Sequence, residues 1–182
     1  MNILDGSLAY LIGAIDAAKD QGRGWRNDFI DKCKQNGLKI KFLDPTNKIS
    51  GLKQEVGEEH KRIVDLKNNA KFDELSLFMH IIVRQDHRSV DLSDFVIFYI
   101  DIDVHTCGSY FEFQSALTEK KPYFIIIKGG KKKAPAWLFG IADHNFFFNS
   151  IDEVVDQLID LNSGKTILSD RWVLFRKQLE TL

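Results

Sequence analysis

"DFVIFYID", residues 94–101, is an apolar run with an aspartate at each end. It does not alternate, so neither face is written for water. Val96, Ile97 and Ile100 are β-branched and Phe95, Phe98 and Tyr99 aromatic, the composition of a central parallel strand covered on both sides. Such a strand needs helices before and after it. Upstream, "FDELSLFMHIIVRQDHRSVDLSD" (72–94) carries Leu75, Phe78, Met79, Ile82 and Val83 at helical spacing, a long amphipathic helix. Downstream, a helix runs from Ser109 to Glu119, and "PYFIIIK" (122–128) is the next strand.

The first 45 residues show the same order. "LAYLIGAI" (8–15) is an apolar first strand closed by Gly13. "WRNDFIDKCKQNG" places Trp25, Phe29 and Cys33 on one helical face and stops at Gly37. "LKIKFLDP" (38–45) alternates like a strand. Residues 46–71 are polar and lysine-rich and read as a surface excursion with a helix at 55–66. "HNFFFNS" suggests a short edge strand, and "SIDEVVDQLIDLNSG" a helix capped by Ser150 and stopped by Gly164. A last helix is expected at 168–181, within a C-terminal segment 165–182. The expected fold is α/β: one domain over 1–182, an open parallel sheet with flanking helices, a Rossmann-like or flavodoxin-like three-layer sandwich.

Composition narrows the function classes. With 25 basic against 26 acidic residues, the formal net charge of −1 lacks the positive field of a nucleic-acid polymer binder. No apolar run approaches the roughly 18 residues of a membrane span, and acidic residues interrupt the N-terminus early, so a cytoplasmic protein is expected. Cys33 and Cys107 form no CxxC, and His80, His87 and His144 have no metal-ligand spacing, so neither a metal nor a cofactor is expected. No G-x-G-x-x-G follows a strand, which argues against a dinucleotide dehydrogenase.

Open parallel sheets bind ligands beyond the carboxyl ends of their strands, where strand order reverses. The segments expected there are Gly13–Asp16, Asp44–Asn47 and Asp101–Ser109, with Glu112 one turn into the following helix. Two readings compete for Glu112. Ser109-x-x-Glu112 spells a capping box, which would fold the carboxylate back onto the helix end. Alternatively the helix dipole keeps the carboxylate ionised and facing a pocket, as a nucleophile or cation stabiliser. Arg23 and Arg26 flank a helix start where a phosphate could sit, and "GGKKK" (129–133) is a second basic loop. Trp137 in "PAWLFGI" is expected to pack.

Taken together, "YLIGAI", "WR", "DPTN", "RQDHRSVDLSDFVIFYID", "CGSYFEFQSALTEKKPYFII" and "PAWLFGI" resemble the nucleoside 2-deoxyribosyltransferase-like superfamily, which includes N-glycosidases of nucleoside 5′-monophosphates. The resemblance spans residues 8–160, and its most specific part is the ordered set Asp86, Asp94, Gly108-Ser109, Glu112 and Lys121-Pro122. It implies that Glu112 captures or stabilises an oxocarbenium-like sugar and that Asp86 is the second catalytic carboxylate. It further implies substrate contacts from Tyr10, Gly13, Asp16, Arg26, Asp94, Gly108 and Ser109, a nucleoside or nucleotide ligand, and a homo-oligomer, dimer or higher. One position departs: Thr106 stands where similar deoxyribosyltransferases often carry an acidic residue. Sugar transfer to another base, hydrolysis of a 5′-monophosphate, and an inactive nucleotide-sensing module all fit the sequence.

Overall fold

The computed structural model describes residues 2–48, 57–166 and 171. Strands β1 (Leu8–Gly13), β2 (Lys41–Leu43), β3 (Phe95–Ile100), β4 (Tyr123–Ile127) and β5 (Phe147–Phe148) form one sheet in the order β2-β1-β3-β4-β5. Every pairing is parallel; β3 lies between β1 and β4, with Ala9 opposite Phe95 and Val96 opposite Tyr123. The helices are α1 (Arg23–Gln35), α2 (Glu58–Asn68), α3 (Phe72–Leu92), α4 (Gly108–Thr118), α5 (Leu138–Ile141) and α6 (Ile151–Asn162).

The unbroken apolar character of β3 and β4 is explained by two cores, one on each face of the sheet. Ala9, Leu11, Phe95, Ile97, Phe124 and Ile126 point to one side, against Phe29 and Cys33 of α1 and Leu158 and Leu161 of α6. Tyr10, Ile12, Val96, Phe98 and Ile125 point to the other, against Val90 of α3 and Phe113 and Ala116 of α4. Phe98 meets Phe113 and Tyr110 at ring-centroid distances of 5.0 and 5.4 Å. Burying a side chain of this size stabilises by about 1.5–3 kcal/mol, and neither face could do so without its own helical layer.

The punctuation read from sequence is present at three helix ends. Ser150 accepts from the Glu153 N–H at the start of α6, and Gly164 (φ +76°) turns the chain just beyond its end. Gly37 (φ +73°) does the same after α1. Other expectations change. Residues 58–68 form a helix that is more than a surface excursion: Ile63 pairs with Phe78 and Ile82 of α3 in a small third core. β2 keeps only three residues of the expected 38–45 strand, since it pairs with β1 alone. Trp137 is 80% exposed while its neighbour Leu138 packs. The expected helix at 168–181 lies outside the described residues except Arg171, whose guanidinium stands 5.0 Å over the Tyr123 ring.

The chain places β2 on one side of β1 and β3 on the other. The loops leaving β1 and β3 therefore part at the carboxyl edge, and a cleft opens between them.

Candidate active site

That cleft is a cavity of about 690 Å³ whose wall includes Gly13 and Asp16 after β1, Pro45 after β2, Asp86 on α3, and Thr106, Ser109 and Glu112 around the start of α4. The competing readings of Glu112 part here. Helix α4 begins at Gly108, its N-cap is Cys107, and no side chain caps it. Ser109 instead takes the Thr106 hydroxyl at 2.7 Å. Glu112 turns toward the sheet, where its Oε1 accepts a 2.7 Å hydrogen bond from the Tyr10 hydroxyl. The capping box is not formed, and the carboxylate belongs to the cavity wall.

Glu112 is only partly exposed, and burial raises its carboxyl from the ordinary value of 4.5 to about 7. The negative charge of Asp86 pushes in the same direction, while the Tyr10 hydrogen bond and the Arg26 and Lys48 cations oppose the rise. Tyr10 moves well above its ordinary 10, first by burial and then by the Glu112 charge, so its hydroxyl stays a donor. Asp86 is held by Lys48, whose Nζ lies 2.6 Å from Oδ1; the two side chains are 8% and 6% exposed. The site thus contains one carboxylate locked in an ion pair and one that titrates near neutrality, held by a phenol.

Gly13, Asp16, Gly108, Ser109, Asp86 and Glu112 all line this cavity, and Tyr10 joins it through Glu112. Gly13 has a packing reason as well: an added Cβ would sit 2.8 Å from the Trp25 ring. Asp16 stands at the mouth, 3.1 Å from Lys67 and 3.6 Å from His60.

Arg26 and Asp94 do not reach the cavity. Arg26 is fully buried, and its guanidinium donates to the carbonyls of Leu11, Gly13 and Gly22 and lies 3.6 Å from Asp44. Asp94 lies at the opposite, amino-terminal edge of the sheet, where Oδ2 accepts from the Leu8 N–H. The α1 N-terminus is also engaged, because the Asp20 carboxylate accepts from the N–H groups of Gly22 and Gly24. Those bonds, the Gly24 one foremost, hold Asp20 below its usual value. Of the expected phosphate cradle, Arg26 and this helix end are therefore engaged by the protein itself, while Arg23 is exposed. Lys121 of the "KP" pair caps α3 instead, donating to the carbonyls of Asp91 and Ser93.

Sequence reasoning missed Lys48. It sits in a lysine-rich polar stretch whose composition gives no sign of an enclosed side chain. It also left His87 aside, which lines the cavity with Nδ1 2.9 Å from the Ser115 hydroxyl. A second cavity of about 540 Å³ adjoins, with the Trp25–Tyr99 stack and the Asp101–Lys128 pair in its wall. Among the described residues no group of three or more His, Cys, Asp or Glu is arranged to hold a metal, and no helix is long and apolar enough to cross a membrane.

No protein-family model and no curated protein matches the chain. Solved structures similar to it include a CMP N-glycosidase, BcmB, from Clostridium botulinum: 16% identity, 85% of this chain and 98% of that one, TM-score 0.44. A conserved protein from Enterococcus faecalis V583 is 15% identical over 97% of this chain and 99% of its own, with TM-score 0.44. A 2-deoxyribosyltransferase from Leishmania mexicana is 15% identical over 85% of this chain and 97% of its own, with TM-score 0.49.

Proposed function

We propose that this chain cleaves the N-glycosidic bond of a nucleoside or nucleotide through Glu112 and passes the sugar to a second base. The observation that carries the reading is the Tyr10–Glu112 pair: a carboxylate released from helix capping, held by a phenol at 2.7 Å, on the wall of a cavity at the sheet's carboxyl edge. Tyr10 fixes Oε1 and leaves Oε2 to attack C1′. The C1′–N bond breaks as the glycosyl ester forms, and the base leaves with the bonding pair and takes a proton from water. A second base then attacks C1′, loses its own proton, and restores the Glu112 carboxylate. Asp86, paired with the Lys48 ammonium, suits accepting a hydrogen bond from a sugar hydroxyl or a base N–H.

A nucleoside is favoured over a 5′-monophosphate because Asp20 and the backbone carbonyls already occupy the expected cradle groups. The homo-oligomer implied by the resemblance is part of this reading, with Phe111 (64% exposed) and Val83 (46%) offering contact area beside the cavity.

The test compares wild type with Glu112→Gln on a panel of nucleosides and 5′-monophosphates, with and without a second free base. Glu112 makes no cap, so the variant should melt within a few degrees of wild type while base release falls at least about a thousandfold. Exchange that depends on the second base supports transfer, and release without it means hydrolysis. Nucleoside binding with no base freed over hours would leave a sensing module and sink the enzyme reading.

A further inference from the structure

Two carboxylates facing one partly enclosed cavity present a charge problem, since the ionisation of either opposes that of the other. Asp86 and Glu112 share the cavity wall, and Asp86 is among the groups that push Glu112 upward. The molecule answers with a cation. The Asp44–Pro45–Thr46 turn follows β2, with the Asp44 carboxylate accepting from both the N–H and the hydroxyl of Thr46 at 2.8 Å. Arg26 braces the turn by joining Asp44 to the carbonyls at the end of β1. Two residues later the chain delivers Lys48, whose ammonium lies 2.6 Å from Asp86, with each side chain less than a tenth exposed.

We propose that Lys48 is a positioning residue of the same site: held against Asp86, it compensates one of the two carboxylates so that the other, Glu112, remains free to attack. The consequence for catalysis rests on the glycosidic reading above, whereas the electrostatic effect does not. The charged and titratable groups whose charge or hydrogen bond acts on Glu112 are Asp86 from α3, Tyr10 from β1, Arg26 from α1 and Lys48 after β2. Asp16, Lys67, His87, His105 and Cys107 lie further round the wall. Of the cations named first, Arg26 is bound to backbone carbonyls, so Lys48 is the one set directly on a carboxylate of the wall. An enclosed lysine paired in this way costs desolvation that a solvated loop lysine would not incur, which gives its placement a reason in the site rather than in the fold.

The experiment is a ¹³C NMR titration of the Glu112 side-chain carboxyl, its signal assigned by its loss in Glu112→Gln. Lys48→Met should raise the Glu112 midpoint by about one pH unit, and Lys48→Arg should return it to near the wild-type position. An unmoved midpoint in Lys48→Met overturns the proposal. Should Lys48→Met fold poorly, Asp86→Asn is compared with Lys48→Met/Asp86→Asn, both of which lack the second carboxylate. The double variant is expected to titrate higher, and equal midpoints overturn the proposal again. Where a substrate turns over, the acid limb of kcat/KM should follow the NMR midpoint. If no substrate turns over, the glycosidic reading fails while the titration still decides the role of Lys48.

Discussion

Replacing Tyr10 by Phe keeps the ring in its core and removes one hydroxyl, the donor that holds Glu112 Oε1 at 2.7 Å. A hydrogen bond to a charged group is worth about 1.5–3 kcal/mol, and its loss falls on the ionised form of Glu112. At 1.36 kcal/mol per pKa unit, the carboxyl should move up by about one to two units. It starts near 7, so the variant should need roughly pH 8–9 to ionise half its Glu112, and at pH 7 base release should be roughly 5- to 50-fold slower. Most of the rate should return at alkaline pH.

Stability follows with a definite sign. The folded-state value of Glu112 is raised above its ordinary 4.5, so the folded protein binds this proton more tightly than the unfolded chain does. That contribution is complete below about 4.5 and is lost as pH rises through about 7. In Tyr10→Phe the loss continues to higher pH. The variant should therefore melt near wild type at pH 5 and fall behind it at pH 9. The assay is kcat/KM for base release against pH, with thermal melts at both pH values. An acid limb at the same pH in both proteins, or an equal melting deficit at pH 5 and pH 9, would refute the role given to Tyr10.

Two further outcomes separate scaffold from chemistry. Arg26→Leu should cost about 3–5 kcal/mol, since it strands the carbonyls of Leu11, Gly13 and Gly22 and leaves Asp44 uncompensated; denaturant titration would show it as a lower midpoint at unchanged slope. Asp94→Ala should cost about 2 kcal/mol through the lost Leu8 N–H bond. Its kcat/KM profile should keep the wild-type acid limb, because Asp94 lies at the far edge of the sheet, and a shifted limb would show that it acts on the site after all.

The elements most legible in the sequence were those whose signal is local. The unalternating "FVIFYI" of β3 and "YFIII" of β4 dictate burial on both faces, and Leu75 to Val83 dictate one long helix. Ser150 and Gly164 fixed the ends of α6 because capping depends on neighbours three or four positions away. The same local rule misled at Ser109 and Glu112. S-x-x-E carries a capping pattern whether or not the box closes, and what opened it is a phenol 102 positions earlier. Arg26 and Asp94 were misplaced for a related reason: sequence gives a charge its position along a strand or helix, not whether its partners are backbone carbonyls or solvent.

Asp86 entered as a candidate carboxylate only through the resemblance to a known family, whereas the sequence by itself determined the α/β class, the succession of strands and helices, and Glu112 as a carboxylate worth weighing. These follow from periodicity and residue chemistry, which act over a few neighbouring positions. Tertiary structure decided how those carboxylates are held. Setting β1 between β2 and β3 brings Tyr10 to Glu112 and Lys48 to Asp86, so that one carboxylate is neutralised and the other held ready to titrate. Proton affinity in an enclosed site depends on desolvation and on the charges nearby in space, and neither quantity is written in the order of residues along the chain.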